Sequence, residues 1–125
     1  MQVKTSSQRK LPVARKKFVI TATTFDRKGR VIASGVNEYN RSHPLQKYFS
    51  IKAGQSEQKC WKHAELSAIL NSKGKDIHSI FVQRFAADGS FALAKPCPSC
   101  QEAIKAFGIK SVSYTTPEGI KHYAP

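Results

Sequence analysis

One histidine and two cysteines set the strongest constraint on how this chain can fold. His63-Ala64-Glu65 is followed, some thirty residues later, by Pro96-Cys97-Pro98-Ser99-Cys100. A neutral imidazole and two thiolates supply three N/S ligands for a tetrahedral Zn²⁺ and leave its fourth position to water. The fold must therefore bring together two segments that are distant in sequence. Glu65, two residues past the histidine, is a carboxylate able to move protons beside that water without ligating the metal. Each half is weak alone, because Cys-x-x-Cys also marks redox pairs and structural zinc sites. A redox pair has no use for His-x-Glu. A closed structural site needs a fourth protein ligand, and Cys60 is the nearby candidate.

The rest of the composition fits one compact domain. A chain of 125 residues builds one hydrophobic core but not two. No apolar run approaches the ~20 residues of a membrane span, and the start lacks the apolar core of a secretory signal. Three cysteines, two of them assigned to metal, do not make a disulfide framework, which points to a reducing cytoplasm. The net charge of +13 attracts phosphate, on a nucleotide or a polynucleotide. Residues 1–17 hold Lys4, Arg9, Lys10, Arg15, Lys16 and Lys17 and no acid; the remainder carries 15 basic against 8 acidic residues. The chain divides into a basic arm over 1–17, with a short helix suggested by Leu11, Ala14 and Phe18, and a domain over 18–125.

Within the domain, Phe18–Phe25 is β-branched and aromatic and reads as a strand. Asp26-Arg27-Lys28-Gly29 turns the chain into a second strand over Arg30–Ser34, ending at Gly35-Val36-Asn37. A polar stretch over 38–60 reads as a long loop. A helix follows His63, with Leu66, Ile69 and Leu70 as its apolar stripe and Gly74 as its stop. His78–Phe85 is a third strand, and Asp88-Gly89 a turn. A second helix opens at Cys97, with Pro98 at its first position, Glu102 in its first turn, and Ile104 and Phe107 facing inward. Ser111–Thr116 is a fourth strand, and 118–123 a fifth. The order describes a layered α/β sandwich in which both metal-bearing segments enter helices. The positive ends of those helices favour the thiolates that zinc needs.

These residues carry a resemblance. His63-Ala64-Glu65 with Pro96-Cys97-Pro98-Ser99-Cys100 matches the H-x-E…P-C-x-x-C pattern of zinc nucleobase deaminases. With Gly35-Val36-Asn37 ending the second strand, the chain resembles the cytidine and deoxycytidylate deaminase superfamily, in particular its small bacterial and phage members. The resemblance spans Phe18 to Thr116. It implies an α/β three-layer sandwich, a central mixed sheet of about five strands flanked by helices. It also implies Zn²⁺ held by His63, Cys97 and Cys100, Glu65 as catalytic proton shuttle, Asn37 on the substrate sugar, and the Ala64 N–H on the base carbonyl. The residues alone allow Asn37 to be a turn residue, and Cys60 receives no role. Similar enzymes often assemble, so a homo-oligomer is compatible with the family.

The implied reaction is hydrolytic deamination of cytosine to the uracil base and ammonia. The expected loop holds Arg41, His43, Lys47 and Lys52, groups able to grip a substrate phosphate, with Arg41 and Lys52 the leading candidates. They favour a small-molecule nucleotide such as dCMP, or cytidine. A purine base such as guanine also competes, and the alternative ranked second is a base within single-stranded RNA or DNA, for which Tyr39, Tyr48, Phe49 and Trp61 offer aromatic platforms beside basic residues. A zinc-stabilised nucleic-acid-binding module without catalysis ranks third, since it has no need of Glu65.

Overall fold

The computed structural model of the chain describes residues 19–38, 42–55 and 62–125. The basic arm, Arg41, Cys60, Tyr39 and Trp61 lie outside the described residues. Five strands form one mixed sheet: β1 (Ile20–Phe25), β2 (Val31–Val36), β3 (Ser79–Arg84), β4 (Ser111–Thr116) and β5 (Gly119–Tyr123). Their order is β2-β1-β3-β4-β5. Only β3 and β4 run parallel; every other neighbouring pair is antiparallel. Among the described residues three helices accompany them: α1 (Pro44–Lys52), α2 (Ala64–Asn71) and α3 (Pro98–Ala106). The expected α/β architecture with a mixed five-stranded sheet is the observed one.

The period-2 pattern decides which sheet face is covered. Ala22 pairs with Val82, and Ile80 lies between Thr24 and Val112, so these residues share a face. All five are fully or almost fully buried. The four apolar ones form the core with Ala64, Ala68 and Ile69 of α2 and Ile104 of α3. α3 is the crossover that parallel β3 and β4 require, since no tight hairpin can join parallel strands. The β2 strand approaches α2 at Gly35, where an added Cβ would lie 2.5 Å from the Ala68 backbone nitrogen.

Three expectations change. The stretch read as a loop over 38–60 contains α1, whose start is set by the His43 ring accepting from the Leu45 N–H, with Pro44 next. Its buried face is Gln46, Phe49 and Ser50, at helical spacing but mostly polar, so no apolar stripe announces it. Glu102 lies in the second turn of α3, because the helix begins at Pro98 and its first turn holds no acid. Phe107 is the C-cap and 44% exposed, beyond the turn whose Ile104 enters the core.

Candidate metal centre

Both metal-bearing segments are helix N-caps. His63 and Cys97 have extended backbones that release the chain into α2 and α3, and neither uses its side chain to cap. Both side chains turn instead toward one point. His63 Nδ1 lies 3.2 Å from Cys100 Sγ and 3.6 Å from Cys97 Sγ. The three ligand atoms all fall within 4.8 Å of one another. Tetrahedral zinc with ordinary Zn–S and Zn–N bonds places its N and S ligands about 3.6 Å apart. The triad therefore fits zinc without rearrangement of the backbone, and it forms a three-donor set among the described residues.

Hydrogen bonds brace each segment from the sheet side. Thr115 Oγ1, wholly buried on β4, donates to the Ala92 carbonyl, and the Ala94 N–H donates to the Thr115 carbonyl. These bonds lead the chain to Pro96-Cys97, where Gln101 Nε2 donates to the Pro96 carbonyl. The far end of α2 is tied down by Thr24 Oγ1 and Ser72 Oγ at 2.8 Å, and by Asn71 Nδ2 donating to the Ser34 carbonyl.

Proximity perturbs the protons of the site. The hydrogen bond from the Cys100 thiol brings Cys97 down to about 4, against burial. The same bond, with burial, pushes Cys100 well above the ordinary thiol range. His63 is raised, chiefly by its hydrogen bond to Cys97. Glu65 is only 6% exposed, and burial raises its pKa. One sulfur is thus ready as thiolate, while the other must release its proton when a metal binds.

A cavity of ≈ 240 Å³ opens onto this centre. His63, Ala64, Glu65, Cys97 and Asn37 line it. Asn37 is also structural: its Oδ1 accepts from the Ile20 N–H at 3.0 Å, holding the start of β1. Lys52 does not line the cavity. It ends α1, exposed, because the stretch that carries it is helical and not a loop free to fold over the site. Lys62, Arg84 and Lys95 are the basic residues that line it among the described residues. Two of these were marked by adjacency, since Lys62 precedes His63 and Lys95 precedes Pro96-Cys97. Arg84, at the end of β3, carries no such signal.

The sequence profile of the cytidine and deoxycytidylate deaminase zinc-binding region matches residues 1–116. The chain belongs to that family. No curated protein matches this deaminase. Among solved structures it is similar to a mutant cytidine deaminase from Mycobacterium tuberculosis, at 18% identity over 89% of this chain and 75% of that one, with a TM-score of 0.50. At that identity the likeness is one of fold. The family's zinc-binding region and the His63, Cys97 and Cys100 cluster agree on Zn²⁺ as the cofactor of this deaminase. No helix among its described residues is long and apolar enough to cross a membrane.

Proposed function

We propose that the protein deaminates the cytosine of a mononucleotide, dCMP being the leading candidate, with water as co-substrate and ammonia as the second product. The observation that carries the substrate class is the cavity wall. Lys62, Arg84 and Lys95 line the same cavity as His63, Glu65 and Cys97; Glu38 lines it too and pairs with Lys62 at 3.5 Å, so three cationic residues stand against the carboxylates of Glu38 and Glu65. Cations in that position favour a substrate bearing a phosphate over a bare nucleoside.

Zinc held by His63, Cys97 and Cys100 supplies Lewis-acid activation of water at neutral pH. Glu65 then carries the protons. It accepts one from the attacking water and delivers it to the ring nitrogen, which makes the amino-bearing carbon electrophilic. It then takes the remaining proton of the added hydroxyl and passes it to the departing amine, so that ammonia leaves and the carbonyl of the uracil base remains. Burial pushes the Glu65 carboxyl above its ordinary value, the direction that makes a carboxylate a better proton acceptor. The Ala64 N–H, in the first turn of α2, lacks an intrahelical acceptor and serves the base carbonyl. Asn37 orients the sugar.

One observation favours the polynucleotide reading. Phe85, 48% exposed, follows Arg84 and packs against Phe91 with ring centroids 5.6 Å apart. Turnover of dCMP, CMP, cytidine, free cytosine and a cytosine-bearing oligonucleotide, each at low and moderate salt, separates the two. The proposal expects the nucleotides to lead. A far better oligonucleotide, with steep salt dependence, would replace it.

A further inference from the structure

The three elements at the metal centre converge on a group that neither ligates metal nor touches the cavity. Gln46, on α1, is 2% exposed. Its Oε1 accepts from the His63 backbone N–H at 3.1 Å. Its Nε2 donates to Ser99 Oγ at 2.9 Å, and Ser50 Oγ donates to the same oxygen at 3.2 Å. Ser99 sits between Cys97 and Cys100 and is itself 1% exposed. One buried amide therefore spans the N-terminal ends of both metal-bearing helices.

We propose that Gln46 is a positioning residue for the metal centre, the clamp that sets the spacing between His63 and the Cys97/Cys100 pair. The chemistry of the side chain suits the task. An amide offers an acceptor and a donor on one rigid plane, so it binds a backbone N–H on one side and a hydroxyl on the other. The His63 N–H has no intrahelical partner at an N-cap, and a buried N–H left without an acceptor costs about 1–3 kcal/mol. The ligands lie 34 and 37 residues apart in sequence, so a single peptide segment cannot fix their separation. The clamp does. It makes the triad a preformed site, whose affinity is not spent on pulling two helices together. It also accounts for the polar buried face of α1.

The test compares Gln46→Met, which keeps volume and removes both hydrogen bonds, with Ser99→Ala, which releases only one end of the clamp. Zn²⁺ affinity is measured by competition with a chromophoric chelator. The visible spectrum of the Co²⁺-substituted protein reports ligand geometry, and the thermal midpoint of the metal-free protein reports packing alone. Gln46→Met should weaken zinc by about 10- to 100-fold, the usual cost of losing an outer partner of a metal ligand, and shift the Co²⁺ bands. Ser99→Ala should do the same to a smaller degree. A purely structural role would lower the midpoint of the metal-free protein while leaving affinity and spectrum unchanged, and that result overturns the proposal. If Gln46→Met does not fold, Ser99→Ala decides: unchanged affinity and spectrum there also overturn it.

Discussion

Gly35→Ala is the substitution whose effect can be worked most fully from the structure. Gly35 does not owe its identity to a left-handed backbone; it owes it to space. An added methyl would sit 2.5 Å from Ala68 N, 2.6 Å from Ser67 Cβ and 2.7 Å from Ser67 C. Two of these three atoms are helix backbone, so no rotamer change relieves the clash. Restoring the 3.4 Å of ordinary contact from 2.5 Å requires α2 to withdraw by about 0.9 Å from β2. Overpacking of this kind costs about 1–3 kcal/mol. At this chain size that lowers the thermal midpoint by roughly 4–20 °C. Because α2 also carries Glu65, and His63 caps it, the displacement reaches the reacting groups. A misplacement near 1 Å can lower turnover by about 10²-fold. The assay pairs a thermal melt of the zinc-loaded variant with kcat on a cytosine nucleotide. Gly29→Ala is the control. Gly29 has φ +81° and nothing within 4 Å of an added methyl, so it should lose stability through strain and keep its activity. A Gly35→Ala protein with wild-type midpoint and wild-type kcat would refute the reasoning.

Other perturbations divide the site by role. His63→Ala, Cys97→Ala and Cys100→Ala should each lose zinc and lower the thermal midpoint, while Cys60→Ala should keep both; metal analysis and a melt read the outcome. Lys62→Gln or Lys95→Gln should raise KM for dCMP by about 10-fold and leave cytidine unchanged, since only the nucleotide offers a phosphate to pair with. Lys52→Gln should change neither, and a dCMP-selective loss there would return the phosphate grip to α1. Zinc affinity should fall with acidification, because Cys100 and His63 both have raised pKa values and must be deprotonated to ligate. Chelator competition should find at least ~10-fold weaker binding at about pH 6 than at about pH 8. Equal affinity at the two would contradict the ligand set.

The parts of the molecule that were legible in the sequence share a local cause. Ser111–Thr116 alternates and ends in turn residues, and the strand has those bounds in the structure. His63 and Cys97 were readable as ligands because spacing along the chain, a proline and a paired carboxylate mark them before any contact is known. Helix α1 was not readable, because its buried positions are Gln46 and Ser50 as well as Phe49, and hydrophobic periodicity is blind to a buried amide. The same blindness hid Gln46 as a partner of the metal centre. Lys52 lies in the stretch read as a loop; that stretch is helical through Lys52, which is not among the residues lining the cavity. Arg84 was invisible for the opposite reason: it sits at the end of an ordinary strand, and only the sheet order brings it beside the site.

The central claim is that Glu65 moves protons for cytosine deamination beside zinc held by His63, Cys97 and Cys100. Ammonia release and formation of the uracil product from dCMP, measured with zinc-loaded wild type and zinc-loaded Glu65→Gln, test it most directly. Glutamine keeps the size of the side chain and cannot shuttle a proton. The account predicts that both proteins hold one zinc per chain and that the variant is slower by at least ~10²-fold. Near-equal turnover by the two, or no deamination of any cytosine substrate by the zinc-loaded wild type, would contradict it.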